Sequence, residues 1–276
     1  MCCRGVRVIY LEHRPEAQLL PWVRMLWYVR APEAVGRERV LPNGDVQIVI
    51  NLAREHCAGC REGEAEFKQA PALLVGTQRC YSVIDSTDLK EMVGVVFRPG
   101  GIRRFVAEPA DEFRFAETAL EDVWGGVALL RERLLEASDV VAKFAVLEQE
   151  LAVRLRVEEV HPGFLLAMRE LRAASQRGTN VSVSEMSRVT GYSTRRLGQL
   201  FGEEIGVGPK MFARILRFQR AVKRLHRGSE MRWDALALEC GYGDQSHFAN
   251  DFREFSGVNP TTYTRTVGIW GNHIRV

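Results

Sequence analysis

Cys57 and Cys60, separated by two residues, have the spacing of half a zinc site or of a redox pair, and His56 and Cys80 are the groups that could complete four ligands. The remaining cysteines, at 2, 3 and 240, add no second pair, so the commoner meaning of such a motif is two unrelated loop cysteines. Arg98-Pro-Gly-Gly101 lacks the G-x-x-x-x-G-K pattern of a phosphate loop and reads as a strand-to-helix turn. The six histidines form no HExxH-like pair, and Asp85, Asp88 and Glu91 have no spacing that marks a carboxylate pair for acid-base work. No catalytic residue, metal or cofactor is assigned on this basis, and Cys57 and Cys60 stay as the metal candidates. A different chemistry is offered by Arg195 and Gln199, and by Gln245, Ser246, Asn250 and Arg253. Side chains four apart on a helix point the same way, and Arg, Gln and Asn are the types whose hydrogen-bonding edges match those of guanine and adenine.

For these side chains to act together, helices must hold them, and the sequence supplies such helices twice. Phe201, Gly206, Val207, Pro209 and Phe212 recur as Phe252, Gly257, Val258, Pro260 and Tyr263, all displaced by fifty-one residues. Leu197 and Ser193 pair with Phe248 and Asp244 at the same offset, whereas Met186, Gly191 and Tyr192 pair with Leu236, Gly241 and Tyr242 at fifty, so one residue is inserted in the second turn. Each unit reads as a short apolar helix (Met186, Val189; Leu236, Leu238), a Gly-Tyr turn, an N-cap at Ser193 or Asp244, and a second helix. In the second helices Leu197, Leu200 and Phe201, or Phe248 and Phe252, form the packed stripe. Arg195 and Gln199, flanked by Arg196 and Gly198, then face outward, as do Ser246, Asn250 and Arg253 with Gln245 in the first turn. His247 lies on the same helix, where it packs or meets a phosphate. Between the units, Lys210–Arg227 is predicted to be a helix with Met211, Ile215, Val222 and Leu225 on one side and basic residues on the other. Eighteen helical residues would span roughly 27 Å, comparable with the roughly 34 Å turn of DNA.

GYSTRRLGQLFGEEIGVGPKMF, the connector, and ALECGYGDQSHFANDFREFSGVNPTTY together resemble the DNA-binding domain of the AraC family, over about residues 165–268. The resemblance implies two recognition helices docked in successive major grooves by a monomer, with base contacts from Arg195, Arg196, Gln199, Gln245, Ser246 and Asn250. Ser193, Thr194, His247 and Arg253 complete the expected DNA-binding set. The chain departs from the family pattern at Gly198, which weakens the first recognition helix, and at Asp251, which is expected near the DNA face. Through Leu-Pro-Asn-Gly-Asp (41–45) and Val-Val-Phe-Arg-Pro-Gly-Gly (95–101), the first half more loosely resembles a β-rich domain that precedes this reader in part of the family, and that likeness brings no ligand with it.

Length and charge agree with two bodies. The 276 residues are 46% hydrophobic and 26% charged, as in an ordinary folded protein. Residues 165–276 carry 17 Lys and Arg against 10 Asp and Glu, while residues 1–164 carry 21 against 25. A basic segment joined to a mildly acidic one suits a nucleic-acid reader with a sensing or assembly body. The run Val8–Leu11 is too short for a signal-peptide core, no stretch of eighteen apolar residues exists, and the cysteines are expected to be reduced, so the expected compartment is the cytoplasm. Strands are predicted within 39–52 and 91–98 and at Ala72–Val75 and Tyr81–Ile84, with Arg54–Gln69 as a loop or hairpin tip. Helical spacing from Ile102 through Arg156 predicts helices linking the two domains, and His161-Pro162-Gly163 marks the boundary.

The expected fold class is α+β: a β-rich N-terminal domain over 1–160 with a helical linker at about 102–156, then an all-α domain of two helix-turn-helix units over 165–268. The repeat and its connector are expected to form one continuous core with no element borrowed from the first half. The expected function is that of a non-enzymatic DNA-binding transcription regulator, activator or repressor. Double-stranded DNA is its partner, with RNA polymerase, a small-molecule effector and a second copy of the chain as further candidates, and no membrane. The alternative is a thiol- or metal-dependent sensor, or a DNA-repair alkyl-acceptor coupled to the same reader.

Overall fold

The computed structural model describes residues 8–31, 36–54, 57–60, 67–88, 90–227, 232–268 and 271–275. Among them the strands, in chain order, are β1 (Ile9–His13), β2 (Val23–Arg30), β3 (Arg37–Val40), β4 (Gln47–Asn51), β5 (Cys57–Cys60), β6 (Phe67–Gln69), β7 (Ala72–Val75), β8 (Ser82–Asp85), β9 (Glu91–Phe97), β10 (Glu117–Ala119) and β11 (His273–Arg275). The α-helices are α1 (Val127–Glu136), α2 (Val140–Arg154), α3 (Pro162–Arg177), α4 (Val183–Thr190), α5 (Thr194–Ile205), α6 (Pro209–His226), α7 (Trp233–Glu239), α8 (Gln245–Ser256) and α9 (Pro260–Thr266). The chain divides into two compact units, and the class is α+β, β-rich first and helical second.

The first unit comprises residues 1–37, 45–76 and 83–158. Its main sheet runs β1-β2-β9-β4-β7-β10, and every pairing is antiparallel. Alternation drives it: Ile48 and Ile50 of β4 turn inward with Val93, Val95 and Phe97 of β9, and the neighbouring positions face away from this core. Trp27 of β2 lies opposite Gly94 of β9, where a Cβ would fall 2.3 Å from the indole, so only glycine admits the ring. The sequence pattern alone does not mark β1 and β2.

A correction concerns residues 102–156. Rather than linking two bodies, α1 and α2 close over the sheet, placing Leu130, Leu134, Phe144, Leu147 and Leu151 in one core with Leu26, Ile48 and Val95. Helical periodicity locates an apolar stripe but does not say what covers it. The region 54–69 contains a hairpin, β5 against β6, with Cys57 and Cys60 on its first strand. Arg98-Pro-Gly-Gly101 is the expected turn, and it leads into a 3-10 helix at Gly101–Arg104.

The second unit takes residues 159–276 together with 38–44 and 77–82, which overturns the expectation of a core with nothing borrowed. Residues of β3 pair antiparallel with β11, His273 opposite Val40 and Arg275 opposite Glu38. Leu41, 2% exposed, enters the core of the second helix-turn-helix. Buried Gln219 of α6 donates to the Pro42 carbonyl oxygen at 2.8 Å and to Asn272 Oδ1 at 3.0 Å. The helices build two small cores. Phe164, Met168, Met186, Leu197, Phe201 and Phe212 form one, and Ile215, Phe218, Leu236, Phe248, Phe252, Phe255 and Tyr263 the other. Both draw on α6, which supplies Phe212 to the first and Phe218 to the second.

Candidate nucleic-acid interface

The two helix-turn-helix units are α4 with α5 and α7 with α8. Their turns form as the residue types dictate. Gly191 (φ 74) and Gly241 (φ 85) take left-handed conformations. Ser193 Oγ then accepts from the Arg196 amide at 3.2 Å, and Asp244 Oδ1 accepts from the His247 amide at 2.7 Å, satisfying one otherwise orphaned donor in each first turn. The expected caps are thus in place, and the inserted residue, Gly243, precedes the second.

Each second helix buries one stripe and exposes another. On α5, Leu197, Leu200, Phe201 and Ile205 are buried, and Ser193, Thr194, Arg195 and Gln199 are exposed, with Arg196 half-buried and 3.9 Å from Glu203. On α8, Phe248, Phe252 and Phe255 are buried, while Gln245, Ser246, His247, Asn250 and Arg253 are exposed. The candidate residues are therefore gathered on the exposed faces of α5 and α8. His247 is the most constrained of them: its ring stands edge-on to Tyr242 at 5.3 Å, with Arg217 Nη2 3.5 Å from Nε2. In the first helices Met186 of α4 and Leu236 and Ala237 of α7 are buried, but Val189 and Leu238 are exposed, because helices of only two turns turn few positions toward the core.

Asp251 is corrected most sharply. It does not lie at the exposed face; its side chain is 5% exposed and points at α6. Arg214 Nε and Nη2 donate to Oδ1 at 3.1 and 2.5 Å, and Arg217 Nη2 donates to Oδ2 at 3.1 Å. A buried carboxylate is tolerated only when paired in this way. Arg214 also donates to Glu254 at 2.6 Å and lies over Phe255; burial works against its charge, yet its hydrogen bonds to Glu254 and Asp251 hold its pKa above the ordinary value. Arg217 lies 4.4 Å over the Tyr242 ring, whose hydroxyl burial, with Asp251 nearby, pushes up.

The arginines of α6 are accordingly engaged in packing, while its lysines, Lys210 and Lys223, are exposed. Arg220 donates to the Cys240 carbonyl oxygen at 3.0 Å and to that of Ser175, and burial lowers its pKa. Arg224 pairs with Glu239. On α5 and α8 the exposed arginines are Arg195 and Arg253, for which no ion pair is found among the described residues.

Of the thiols, Cys80 is exposed and Cys240 buried, its thiol pushed up to about 11 by that burial. The side chains of Cys57 and Cys60, and all of His56, lie outside the described residues. Among those described, no cluster of three or more His, Cys, Asp or Glu could hold a metal ion, and no helix is long and apolar enough to cross a membrane.

This geometry, two N-capped helices with polar outer faces on a shared connector, defines a tandem helix-turn-helix domain. Comparison with known proteins agrees: residues 186–266 match the family model described as a helix-turn-helix domain, and residues 11–118 match a domain of unknown function, DUF6597. Over 108 residues the chain is 29% identical to the HTH-type transcriptional regulator GlxA of Rhizobium meliloti (strain 1021), a match covering 39% of this chain and 32% of that protein. It is 32% identical over 84 residues to an HTH-type transcriptional regulator of Staphylococcus aureus (strain MRSA252), covering 30% and 11%. The chain thus spans about a third and about a tenth of these relatives. A solved transcriptional regulator with an AraC-type DNA-binding domain, from Chromobacterium violaceum, is similar at 23% identity, over 39% of this chain and 96% of that one, with a TM-score of 0.34. The chain thus carries a helix-turn-helix domain, matched over residues 186–266, behind a segment that matches DUF6597, over residues 11–118.

Proposed function

We propose that the protein is a sequence-specific transcription regulator that places α5 and α8 in successive major grooves of double-stranded DNA. Arg195 and Gln199 of α5, with Arg196 beside them, and Gln245, Ser246 and Asn250 of α8 meet base edges; Ser193, Thr194, His247 and Arg253 meet the backbone. The observation that carries this reading is the duplicated face: in both helices the apolar stripe is buried and the side chains left outside are of the types that pair with bases. Free arginines at the exposed face supply charge for phosphates, while those of α6 are spent on packing. Regulation, by a small effector or by a second copy of the chain, falls to the first unit, and RNA polymerase is the further partner that a regulator of this kind addresses. No catalysis is assigned to either unit.

Selection of bound sequences from random DNA by the intact chain tests the reading. The expected result is a motif of two short half-sites, one per reading helix, with affinity that falls steeply as salt rises because bound cations are released. Binding without any base preference would overturn it. Stoichiometric zinc that disappears together with regulation in a Cys57→Ser/Cys60→Ser chain would favour the thiol or metal alternative.

A further inference from the structure

A single short segment reaches the C-terminal ends of both reading helices. Thr77, fully buried, donates its hydroxyl to the carbonyl oxygen of Ile205, the last residue of α5, at 2.6 Å. Four residues on, the Tyr81 amide donates to the carbonyl oxygen of Phe255, next to the last residue of α8, at 2.9 Å. The last carbonyls of a helix have no partner within it, so each bond fills a vacancy that must otherwise be met by water. The Tyr81 ring is fixed as well. It packs against the second helix-turn-helix core, Arg39 stacks on it at 4.5 Å, and at Gly257 (φ +72), which ends α8, a Cβ would come 2.5 Å from its edge.

Four residues of extended chain reach at most about 14 Å, so the segment sets an upper limit on how far those helix ends can move apart. Apart from it, the two helix-turn-helix units are joined by α6 and, at the opposite ends from these C-termini, by the loop after α3, where Asn180 donates to the Gly241 carbonyl oxygen. We propose that residues 77–82 are a brace that sets the separation of the two reading helices, with Thr77 and Tyr81 as positioning residues for DNA recognition. The brace touches neither reading face, so it governs the spacing between half-sites and leaves the bases read within each half-site alone. This inference rests on α5 and α8 being the reading helices.

The test uses the full chain and duplexes in which the two selected half-sites are moved apart or together by one base pair. Wild type is expected to reject the shifted sites on the order of tenfold, comparable with the cost of a mismatched base pair. A chain with Gly-Ser inserted after Arg79 is expected to keep the base preference of each half-site but to bind shifted and unshifted sites within about threefold. Thr77→Val, which removes the donor at nearly constant volume, should move the same way, and Thr77→Ser should retain the wild-type spacing preference. Should the insertion fail to fold, the Thr77 pair decides. Unchanged spacing preference in folded Thr77→Val and insertion chains would overturn the brace, as would loss of base preference within both half-sites. If wild type itself selects no two-part motif, the reading of α5 and α8 falls first and the brace with it.

Discussion

At the scale of single residues, the reading face makes a separable claim about chemistry and about folding. Arg195 is exposed and unpaired among the described residues, whereas Leu197, two positions on, is fully buried. A bidentate pair with guanine is worth about 1–3 kcal/mol of discrimination, so Arg195→Ala should lose that much at the selected site while binding to unrelated DNA falls only slightly. Stability should hardly change, because an exposed arginine contributes little to its helix. Leu197→Ala should instead cost about 2–5 kcal/mol in denaturant unfolding and abolish binding through the fold. Equal affinity and unchanged base preference in Arg195→Ala, measured by titration on sequence-varied duplexes, would remove α5 from the groove. Gly198 makes a second claim. It lies mid-helix in α5 with open space where a Cβ would stand, so Gly198→Ala should raise stability by about 0.5–1 kcal/mol. If DNA approaches that position closely, the more stable variant binds more weakly; a rise in both stability and affinity would show that nothing comes near.

At the scale of elements, the arginines of α6 work as packing groups, and their partner marks where the repeat departs from itself. Leu200 of α5 and Asp251 of α8 are equivalent at the fifty-one-residue offset, both are buried, and only the second is charged. Removing one member of a buried ion pair strands the others, so Asp251→Ala should cost about 3 kcal/mol or more. Replacing the group together, as Asp251→Leu with Arg214→Met and Arg217→Met, should restore most of that stability, since apolar substitutes for buried ion groups are often neutral. Urea unfolding of the single and triple variants checks this, and a triple variant no more stable than the single would mean that packing rather than pairing dominates. The same residue explains what the sequence makes visible. Caps at Ser193 and Asp244 are legible because their partners lie three residues away, and the stripes of Leu197, Phe201, Phe248 and Phe252 because helical spacing is local. Asp251 is not, because a carboxylate in a helical pattern reads as exposed until its partners, 37 and 34 residues distant, are brought to it. Likewise α1 and α2 have legible stripes, but the sheet that covers them is a matter of tertiary packing.

At the scale of the whole molecule, the least legible feature is that the second unit is not contiguous in sequence. Its long-range bonds join residues such as Thr77 and Ile205, 128 apart, and Gln219 and Pro42, 177 apart, which no local pattern connects. A chain beginning at residue 159 would lack all of residues 38–44 and 77–82. Losing Leu41 alone opens the second helix-turn-helix core to water, at about 1.5–3 kcal/mol for a side chain of that size. Gln219 loses its bond to Pro42, and the carbonyl oxygens of Ile205 and Phe255 lose the donors that Thr77 and Tyr81 provide, each at about 1 kcal/mol net. These losses together approach the whole stability of a small domain, about 5–15 kcal/mol. Residues 159–276 expressed alone should therefore be markedly less stable than the same residues within the full chain, melting lower and with reduced cooperativity. Among the described residues the first core, built from Phe164, Met168, Leu197 and Phe201, has no buried hydrophobic member from residues 38–44, whereas the second includes Leu41, so protection of the first core's amides from hydrogen exchange should outlast that of the second. A 159–276 fragment whose two helix-turn-helix units are equally protected, and as stable as in the full chain, would mean that the segments woven in from the first half are passengers on the reader rather than part of it.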